Sequence, residues 1–332
     1  MTQGEFALYI QDTFSFGEEL TLDAGVRFDH TSLLVSESQF SPRVAAVYYF
    51  PESRTALRGS YNRLFMSPQV ENLLLASSEQ ARALSPFVTP EGKGGADIRP
   101  ERQHAFEVGV SQDVGSAFRL DIAHWWRFVR NYADPNVFFG TAVIFPNSVA
   151  EGEAQGVDVR IDIPERRGWS GYASYSNSRS FQIGPINGGL FLEDEVIEIG
   201  PGTRFTPDHD QRNVASFGVS YQNLPTGLWV TFSGRHESGT PLEVDEDELV
   251  ELMQRRGAER VNFDRQRVKG RTPLNLAFGA DLRQDDDIAF SARLDIRNLT
   301  GEEFAFNFGN PFSGTHFGHP RLWRVELSFS FR

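Results

Sequence analysis

Residues 321–332 read R-L-W-R-V-E-L-S-F-S-F-R, and this closing stretch decides the fold. Polar side chains alternate along it with an apolar set made of Trp323, Val325, Leu327, Phe329 and Phe331. Such alternation predicts a β-strand with one apolar and one hydrated face. A tilted strand needs roughly 9–11 residues to cross a bilayer, and this stretch has that length. It therefore predicts a membrane-spanning strand or, as the alternative, an amphipathic edge strand of a soluble sheet.

The composition excludes several classes of function. The chain has 332 residues, and 32 Lys and Arg against 45 Asp and Glu give a net charge of −13. Nucleic acid demands a basic face, so no nucleic-acid partner is expected. The chain has no cysteine, which removes disulfides, thiolate metal sites and cysteine nucleophiles. It also has no Gly-x-Ser-x-Gly, P-loop or His-Glu-x-x-His motif, so we expect neither an enzyme nor a cofactor.

Apolar runs are too short for membrane helices. The longest covers residues 44–50, whereas a membrane helix needs roughly 20 apolar residues. The first six residues lack the basic and apolar regions of a secretory signal peptide, so none is expected in this sequence. Any membrane crossing must therefore be made by strands.

The alternation of the last strand recurs along the whole chain. It predicts 13 strands, near residues 5–16, 20–29, 40–50, 54–65, 100–114, 118–127, 157–163, 169–181, 208–222, 227–237, 274–282, 288–296 and 321–332. Short helices are predicted near residues 69–77, with Ser67 as the N-cap and Pro68 at the first helical position, and near residues 249–253.

Short turns and long loops alternate between these strands, which places every long loop, including residues 31–39, at one end of the sheet. Leu, Ile, Val and Phe form one face of the strands and Arg, Asp, Glu, Ser and Gly the other. Both features are typical of an antiparallel transmembrane β-barrel. This all-β fold is the prediction for the whole chain, residues 1–332.

The hydrated face carries opposite charges. We expect them to form ion pairs between strands, each worth roughly 0.2–1 kcal/mol. The cations are Arg27, Arg43, Arg58, Arg119, Arg127 and Arg160, and the anions are Asp23, Asp121, Asp158 and Asp162.

The strand count is odd, although bacterial single-chain barrels have an even number of strands. The first and last strands both run toward the end with the short turns. The chain is therefore predicted to be part of a larger barrel.

Local motifs, in their order along the chain, resemble those of TonB-dependent outer-membrane receptors. They are Gly25–Asp29, Pro100-Glu101 with Glu107 and Gly109, Ala154–Asp158, Asp208–Arg212, Asn298-Leu299 with Phe304, and Gly318–Arg321. The closing strand resembles the one that the barrel-assembly machinery reads in outer-membrane barrels, through Trp323, Val325, Leu327, Phe329 and Phe331. This chain departs from that pattern because Arg332 follows the last aromatic residue.

The resemblance implies a location in the bacterial outer membrane and a barrel of about 22 strands with a plugged lumen. The 13 strands would be its C-terminal part. The family's plug domain, its TonB-contacting motif and its signal peptide are not expected within this sequence, which suggests a fragment or a split receptor.

The resemblance also implies active uptake of a scarce, bulky solute such as a siderophore–iron complex, cobalamin or a glycan. Aromatic and Asn-rich loops suggest the outer half of a ligand site, although each residue could instead pack loop against loop or join an interfacial girdle. The candidate residues are Tyr132, Phe138, Phe139, Phe145, Asn147, Phe308, Asn310 and Phe312.

Other interpretations carry less weight. His316 and His319 have a metal-like spacing but no evident third ligand. The acidic run at residues 243–251 lacks the ligand order of a calcium loop. A passive porin-like or structural barrel remains the alternative function, and it predicts a self-closing, ion-conducting barrel. A soluble all-β adhesion module is the other alternative, and it predicts solubility without detergent.

Overall fold

Thirteen long strands form one antiparallel meander in the structure, a computed structural model that describes residues 4–32, 34–83, 88–89, 92–93, 95–137, 144–191, 199–207, 209–242, 249–285, 288–310 and 314–331. The long strands are β1 (Gly4–Phe16), β2 (Leu20–Ser32), β3 (Ser36–Phe50), β4 (Thr55–Met66), β8 (Glu101–Val114), β9 (Phe118–Val137), β10 (Ile144–Arg166), β11 (Trp169–Leu190), β13 (Asn213–Asn223), β14 (Leu228–Glu237), β17 (Leu274–Asp285), β18 (Ile288–Arg297) and β21 (Leu322–Phe331). Each pairs with the next in this order. The predicted fold class and number of strands are confirmed.

Short elements occupy the connections at one end of the sheet. The strands are β5 (Val88–Thr89), β6 (Gly92–Lys93), β7 (Gly95–Ala96), β12 (Arg204–Phe205), β15 (Val261–Asn262), β16 (Arg267–Val268), β19 (Ala305–Asn310) and β20 (Gly314–Phe317). The helices are α1 (Val70–Ser77), α2 (Glu79–Arg82) and α3 (Leu249–Leu252), with 3-10 turns at Ala258–Arg260 and Phe263–Arg265. We call this end of the sheet the loop end and the opposite one the turn end.

Both predicted helices are present, but one cap differs from the prediction. Helix α1 begins after Gln69, which makes no side-chain capping bond, so the predicted cap at Ser67 is wrong. Ser78 instead caps α2 by accepting a hydrogen bond from the amide of Ala81. The connection between β2 and β3 is also shorter than predicted, because pairing continues to Ser32 and Ser36. It is the exception to the rule of long loops at that end.

The apolar face of the sheet is open to the surroundings. Leu8, Val108 and Val325 are exposed by 65%, 50% and 70%, although all belong to the apolar set of their strands. A soluble sandwich would bury this face against a second sheet. Among the described residues, the buried apolar clusters instead lie between the loop-end connections. The apolar face is therefore the outer, lipid-facing wall of a barrel.

Aromatic residues mark two levels of that outer wall. Near the loop end, the rings of Tyr61 and Phe106 lie 5.0 Å apart, and those of Phe106 and Trp126 stack at 5.4 Å. Near the turn end, Trp169 meets Tyr221 at 4.8 Å. Such belts are typical of the two interfaces of a membrane barrel.

Strands β9, β10 and β11 extend farther toward the loop end than the sequence predicts. The predicted loop at residues 133–148 and the start of the one at 182–207 are paired backbone, through residues 130–137, 144–151 and 182–190. Here both faces of the sheet are covered, because Asn147, Ser148 and Val149 are buried in succession. A strand covered on both faces shows no alternation, so its sequence pattern could not mark it.

Candidate functional site

The inner wall of the sheet carries a charged cluster that spans three strands. The guanidinium of Arg58 on β4 donates to Glu107 on β8 from Nε at 2.9 Å. It also donates to both carboxylate oxygens of Asp121 on β9, at 2.7 and 2.9 Å. This two-bond pairing fixes the direction as well as the distance of the charges. Ser111 completes the cluster by accepting from Arg58 at 3.1 Å.

The other inner-wall ion pairs follow a different geometry from the one predicted. Most join residues two apart on one strand, because such residues point to the same face. They include Arg27–Asp29, Arg160–Asp162, Arg293–Asp295 and Arg324–Glu326, each at 2.7–2.8 Å. Of the predicted charges, Arg58 and Asp121 do pair across strands. The prediction of a charged inner wall is thus confirmed, whereas that of mainly cross-strand ladders is wrong.

An indole forms a platform beside this cluster. The Nε1–H of Trp125 donates to Asp158 on the next strand at 2.9 Å, and the Arg127 guanidinium lies 5.6 Å from the centre of the Trp125 ring. Cation–π contact of this kind stabilises a partly hydrated arginine. The surrounding hollow has a volume of about 410 Å³ and opens toward the lumen side, next to Ser60 and Asn62.

The inner wall changes character along the sheet. On β11 and β13 the same face bears hydroxyl side chains and no charge: the ring of Tyr172, which lies over Gly218, and the series Ser170, Ser174, Ser176, Ser178, Ser180, Ser216 and Ser220. The wall therefore has a charged sector from β2 to β10, an uncharged polar sector on β11 and β13, and charges again on β18 and β21. Both kinds of sector can be hydrated, as the wall of a polar lumen must be.

One loop cluster joins the segment before β17 to β19 and β20. Its core contains Leu242, Leu252, Val261, Val268 and Phe308, and Phe308 is only 1% exposed. The Phe308 ring meets Phe263 edge-on, with centroids 6.1 Å apart. Aromatic contacts of this type add to the burial energy of the rings. The two connections thus form one packed unit over the loop end.

A second loop cluster folds across the sheet from β4. Helix α1 buries Leu73 and Ala76 against Ile98, next to Leu34 and Val35. Strand β7 then pairs with the end of β11, through Gly95 with Leu190 and Ala96 with Gly189. This segment crosses the ends of β8, β9 and β10, so it covers part of the barrel mouth.

A buried carboxylate fastens the loops to the sheet. Asp210 is 4% exposed and accepts from the amide of Ser180 at 3.1 Å, from Arg212 at 2.6 Å and from Arg267 at 2.5 Å. Arg267 also donates to the carbonyl of Gly239 at 2.7 Å. Because Arg267 lies in the connection between β14 and β17, this carboxylate links two connections to strand β11. The sequence motif at residues 208–212 indicated a strand entry but not this role.

Asn298 has a similar role at the end of β18. Its side chain donates to the carbonyls of Glu302 and His319, at 2.9 and 3.0 Å. The backbone N–H of Asn298 donates to Oδ1 of Asn275 at 3.1 Å. The Asn298-Leu299 motif therefore holds both ends of the last loop.

The predicted ligand residues lie in different surroundings. Tyr132 packs over Gly152, where a Cβ would lie 2.7 Å from its ring. Asn147 is 1% exposed, and neither its amide oxygen nor its amide nitrogen has a hydrogen-bond partner among the described residues. Phe308 belongs to the loop core described above. Phe145 and Asn310 lie in β10 and β19 rather than in loops, and Phe138, Phe139 and Phe312 fall outside the described residues.

The described residues hold no cluster of three or more His, Asp or Glu side chains that could bind a metal ion, and His316 and His319 form none. Within the described ranges, no helix is long and apolar enough to cross a membrane. The acidic run predicted at residues 243–251 lies largely outside the described residues.

An antiparallel meander with a lipid-facing apolar wall, two aromatic belts and a charged inner wall defines the class of protein: a bacterial outer-membrane β-barrel. The family model described as "TonB dependent receptor-like, beta-barrel" matches residues 1–299. The chain belongs to this family, which consists of outer-membrane receptors and not of enzymes.

Known proteins agree with this membership. The chain is 24% identical to the TonB-dependent transporter Oar of Myxococcus xanthus over 390 residues, covering 90% of this chain and 35% of that protein. Among solved structures, it resembles the transporter YddB of Escherichia coli (TM-score 0.67, 13% identity, 99% of this chain and 45% of that one). It also resembles the receptor FpvA of Pseudomonas aeruginosa bound to pyoverdine (TM-score 0.63, 15% identity, 99% and 42%). The chain thus spans less than half the length of these relatives.

Proposed function

We propose that this chain supplies the C-terminal strands of a plugged receptor barrel that takes up a scarce, bulky solute across the outer membrane. The observation that carries the proposal is the polar inner wall, which is charged from β2 to β10 and on β18 and β21, together with packed loops that cover the sheet at one end only. In the whole receptor we expect a plug domain in the lumen and TonB as the energising partner.

The edges of the sheet support the proposal that further strands complete the barrel. Strands β1 and β21 lie at the two edges in the described part of the chain. Lipid does not tolerate unpaired strand edges, because no water is present to satisfy the backbone groups. Both edge strands run from the loop end to the turn end, so each needs a neighbour running the other way. A complement with an odd number of strands, about nine in a barrel of this type, meets that need.

For the solute, we propose a chelated metal ion of the siderophore class, with cobalamin and glycans as the other candidates. Relatives of similar fold support this order. One neighbour is FpvA bound to a pyoverdine–iron complex, another is the ferric-catecholate import receptor Fiu, and a third is the copper transporter OprC. The likeness to them concerns the fold, so the solute of this chain has to be tested.

Within the mouth, we propose Asn147 as the ligand-contacting residue, with Tyr132 beside it. Each buried donor or acceptor without a partner destabilises the fold by roughly 1–3 kcal/mol. A ligand that forms hydrogen bonds with the Asn147 amide would therefore bind favourably at this position. Phe308 is less suited to contact a ligand because its ring is buried in the loop core. Phe145 and Asn310 stay candidates, and so do Phe138, Phe139 and Phe312.

The test is uptake by cells. Radioactive iron carried by hydroxamate and catecholate siderophores, labelled cobalamin and labelled glycans are supplied to the parent bacterium and to a strain that lacks the gene. We expect the deletion to abolish uptake of one class, with iron siderophores first. If the deletion strain takes up siderophore-bound iron, cobalamin and glycans as well as the parent does, the transport proposal is wrong.

Two matched variants test the ligand residue. Asn147→Ala is expected to lower solute affinity about tenfold, as loss of a ligand hydrogen bond in a buried site does. Asn187→Ala, which removes the same amide from an exposed position of β11, is the control and is expected to leave affinity unchanged. Equal affinities in both variants would exclude Asn147 from the site and leave the transport proposal standing.

A further inference from the structure

A second hollow lies on the outer wall of the sheet, away from the lumen. It has a volume of about 410 Å³ and spans β8 to β11. Its lining residues are Val108, His124, Trp126, Arg127, Phe128, Glu153, Ala154, Gln155, Arg179, Phe181 and Arg204. Of these, Arg127 alone belongs to an inner-wall cluster described above.

The pairing of the strands places most of these residues on the lipid-facing wall. Trp126 pairs with Gln155, and Gln155 pairs with Arg179 on the next strand. Directly paired residues share a face, and on β9 and β10 this face is also that of Ile122 and Val159. The inner face of the same strands bears Asp121 and Asp158.

The hollow also has a defined height in the membrane. Trp126 lies eight residues beyond Phe118, the turn-end start of β9. At about 3.3 Å per residue and a tilt of about 40°, this rise is roughly 20 Å, near the top of an apolar band about 25 Å tall. Trp126 is also part of the loop-end aromatic belt. The hollow therefore lies where acyl chains meet the head groups of the outer leaflet.

The lining combines aromatic and charged side chains. Phe128 and Phe181 are its phenyl rings, and the Arg204 guanidinium lies 4.1 Å from the centre of the Phe181 ring. Arg204 forms an ion pair with Glu153. Arg179 instead contacts a neutral side chain, because the amide oxygen of Gln155, in the orientation that satisfies the hydrogen bonds, accepts from Nε of Arg179 at 2.6 Å. The positive charge of Arg179 is therefore not balanced by a carboxylate among the described residues.

We propose that this hollow binds the head group of an anionic, phosphate-bearing membrane lipid, with an acyl chain against Val108, Trp126 and Phe128. Guanidinium groups are the side chains best suited to phosphate, because their fork of donors matches its oxygens. Arg179 is the main contact and Arg204 the second. The proposal is independent of the transported solute.

Native mass spectrometry of the protein, extracted from outer membranes in neutral detergent, tests the proposal. The probes are phosphatidylglycerol and phosphatidylcholine with identical acyl chains, and inorganic phosphate. We expect phosphatidylglycerol to be retained in preference to phosphatidylcholine, and phosphate not to displace it. Equal retention of both lipids would overturn the proposal, and displacement by phosphate would show a plain anion site instead of a lipid site.

Three variants locate the site. Arg179→Gln is expected to weaken phosphatidylglycerol retention about fivefold, the effect of one basic side chain near a membrane surface. Arg130→Gln removes an exposed charge from the same wall outside the hollow and is expected to keep the wild-type preference. Glu153→Gln frees Arg204 and is expected to strengthen retention. Equal losses in Arg179→Gln and Arg130→Gln would overturn the site, because retention would then follow total charge. Unchanged melting temperatures establish that the variants are folded.

Discussion

The guanidinium of Arg58 lies directly over Gly109, its backbone partner on the neighbouring strand. A Cβ added at Gly109 would lie 2.6 Å from Cζ of Arg58, closer than real Cβ atoms approach. The absence of a side chain is what allows the guanidinium to lie across β8 and reach Asp121 on the third strand. One glycine thus permits the charged cluster of the inner wall.

Gly109→Ala is therefore expected to displace Arg58 and to weaken its bonds with Glu107 and Asp121. Hydrogen bonds to charged groups contribute roughly 1.5–3 kcal/mol each, so we expect a loss of about that size in the free energy of unfolding. Urea unfolding in detergent measures it. Gly59→Ala is the control, since a Cβ there would meet only a carbonyl oxygen at 3.9 Å. Similar losses in both variants would show that the effect comes from adding a side chain to a strand and not from Arg58.

The orientation of the closing strand gives a second prediction. Leu327 is 61% exposed on the outer wall, and Ser328 is the next residue, on the inner wall. Both lie near the middle of β21. An arginine on the lipid face at that depth costs about 2–4 kcal/mol, whereas the polar lumen accepts charge. Leu327→Arg is expected to reduce the folded fraction seen as heat-modifiable migration, and Ser328→Arg to leave it near wild type. The reverse order would mean that the two faces are assigned wrongly.

Much of this fold could be predicted because each face of a strand has one environment. Val157, Val159 and Ile161 face lipid while Asp158 and Arg160 face water, so the alternation of the sequence reports the sheet directly. Near Asn147 to Val149 both faces are covered, the alternation disappears, and the predicted loop is in fact paired strand. The sequence therefore predicts the number of strands, but it does not predict how far β9, β10 and β11 extend beyond the membrane at the loop end.

The candidate site was less accessible for a related reason. Aromatic composition singled out Phe308, but composition cannot distinguish a ring that meets a ligand from one that fills a loop core. The linking role of Asp210 depends on Arg267, which is distant in sequence. The outer hollow joins four strands through pairing, and no local motif marks it.

Phe308 gives a third prediction. Removing a buried phenyl ring leaves a cavity and costs about 3–5 kcal/mol, here within the loop cluster rather than the barrel. Phe308→Ala is expected to speed hydrogen exchange in residues 249–268, 305–310 and 314–317 while the long strands stay protected. Phe278→Ala, which removes a lipid-facing ring from β17, serves as the control and is expected to leave the loops unchanged. If Phe308→Ala keeps the wild-type hydrogen-exchange protection of the loops but loses solute affinity, Phe308 contacts the ligand instead of filling the loop core.

The fourth prediction concerns Asp210, which holds Arg212 and Arg267 together. Asp210→Asn leaves two guanidinium groups facing a neutral amide, and breaking a buried ion pair from one side costs about 3–5 kcal/mol. Because Arg267 also holds the carbonyl of Gly239, we expect the loop before β17 to detach from the sheet first. Hydrogen exchange at residues 239–242 and 267–271 should then rise before that of β13 and β14. Asp264→Asn makes the same change at an exposed position of that loop and is expected to have little effect. If both variants behave alike, the buried carboxylate is not the fastening point, and the loop cluster must be held by its apolar core alone.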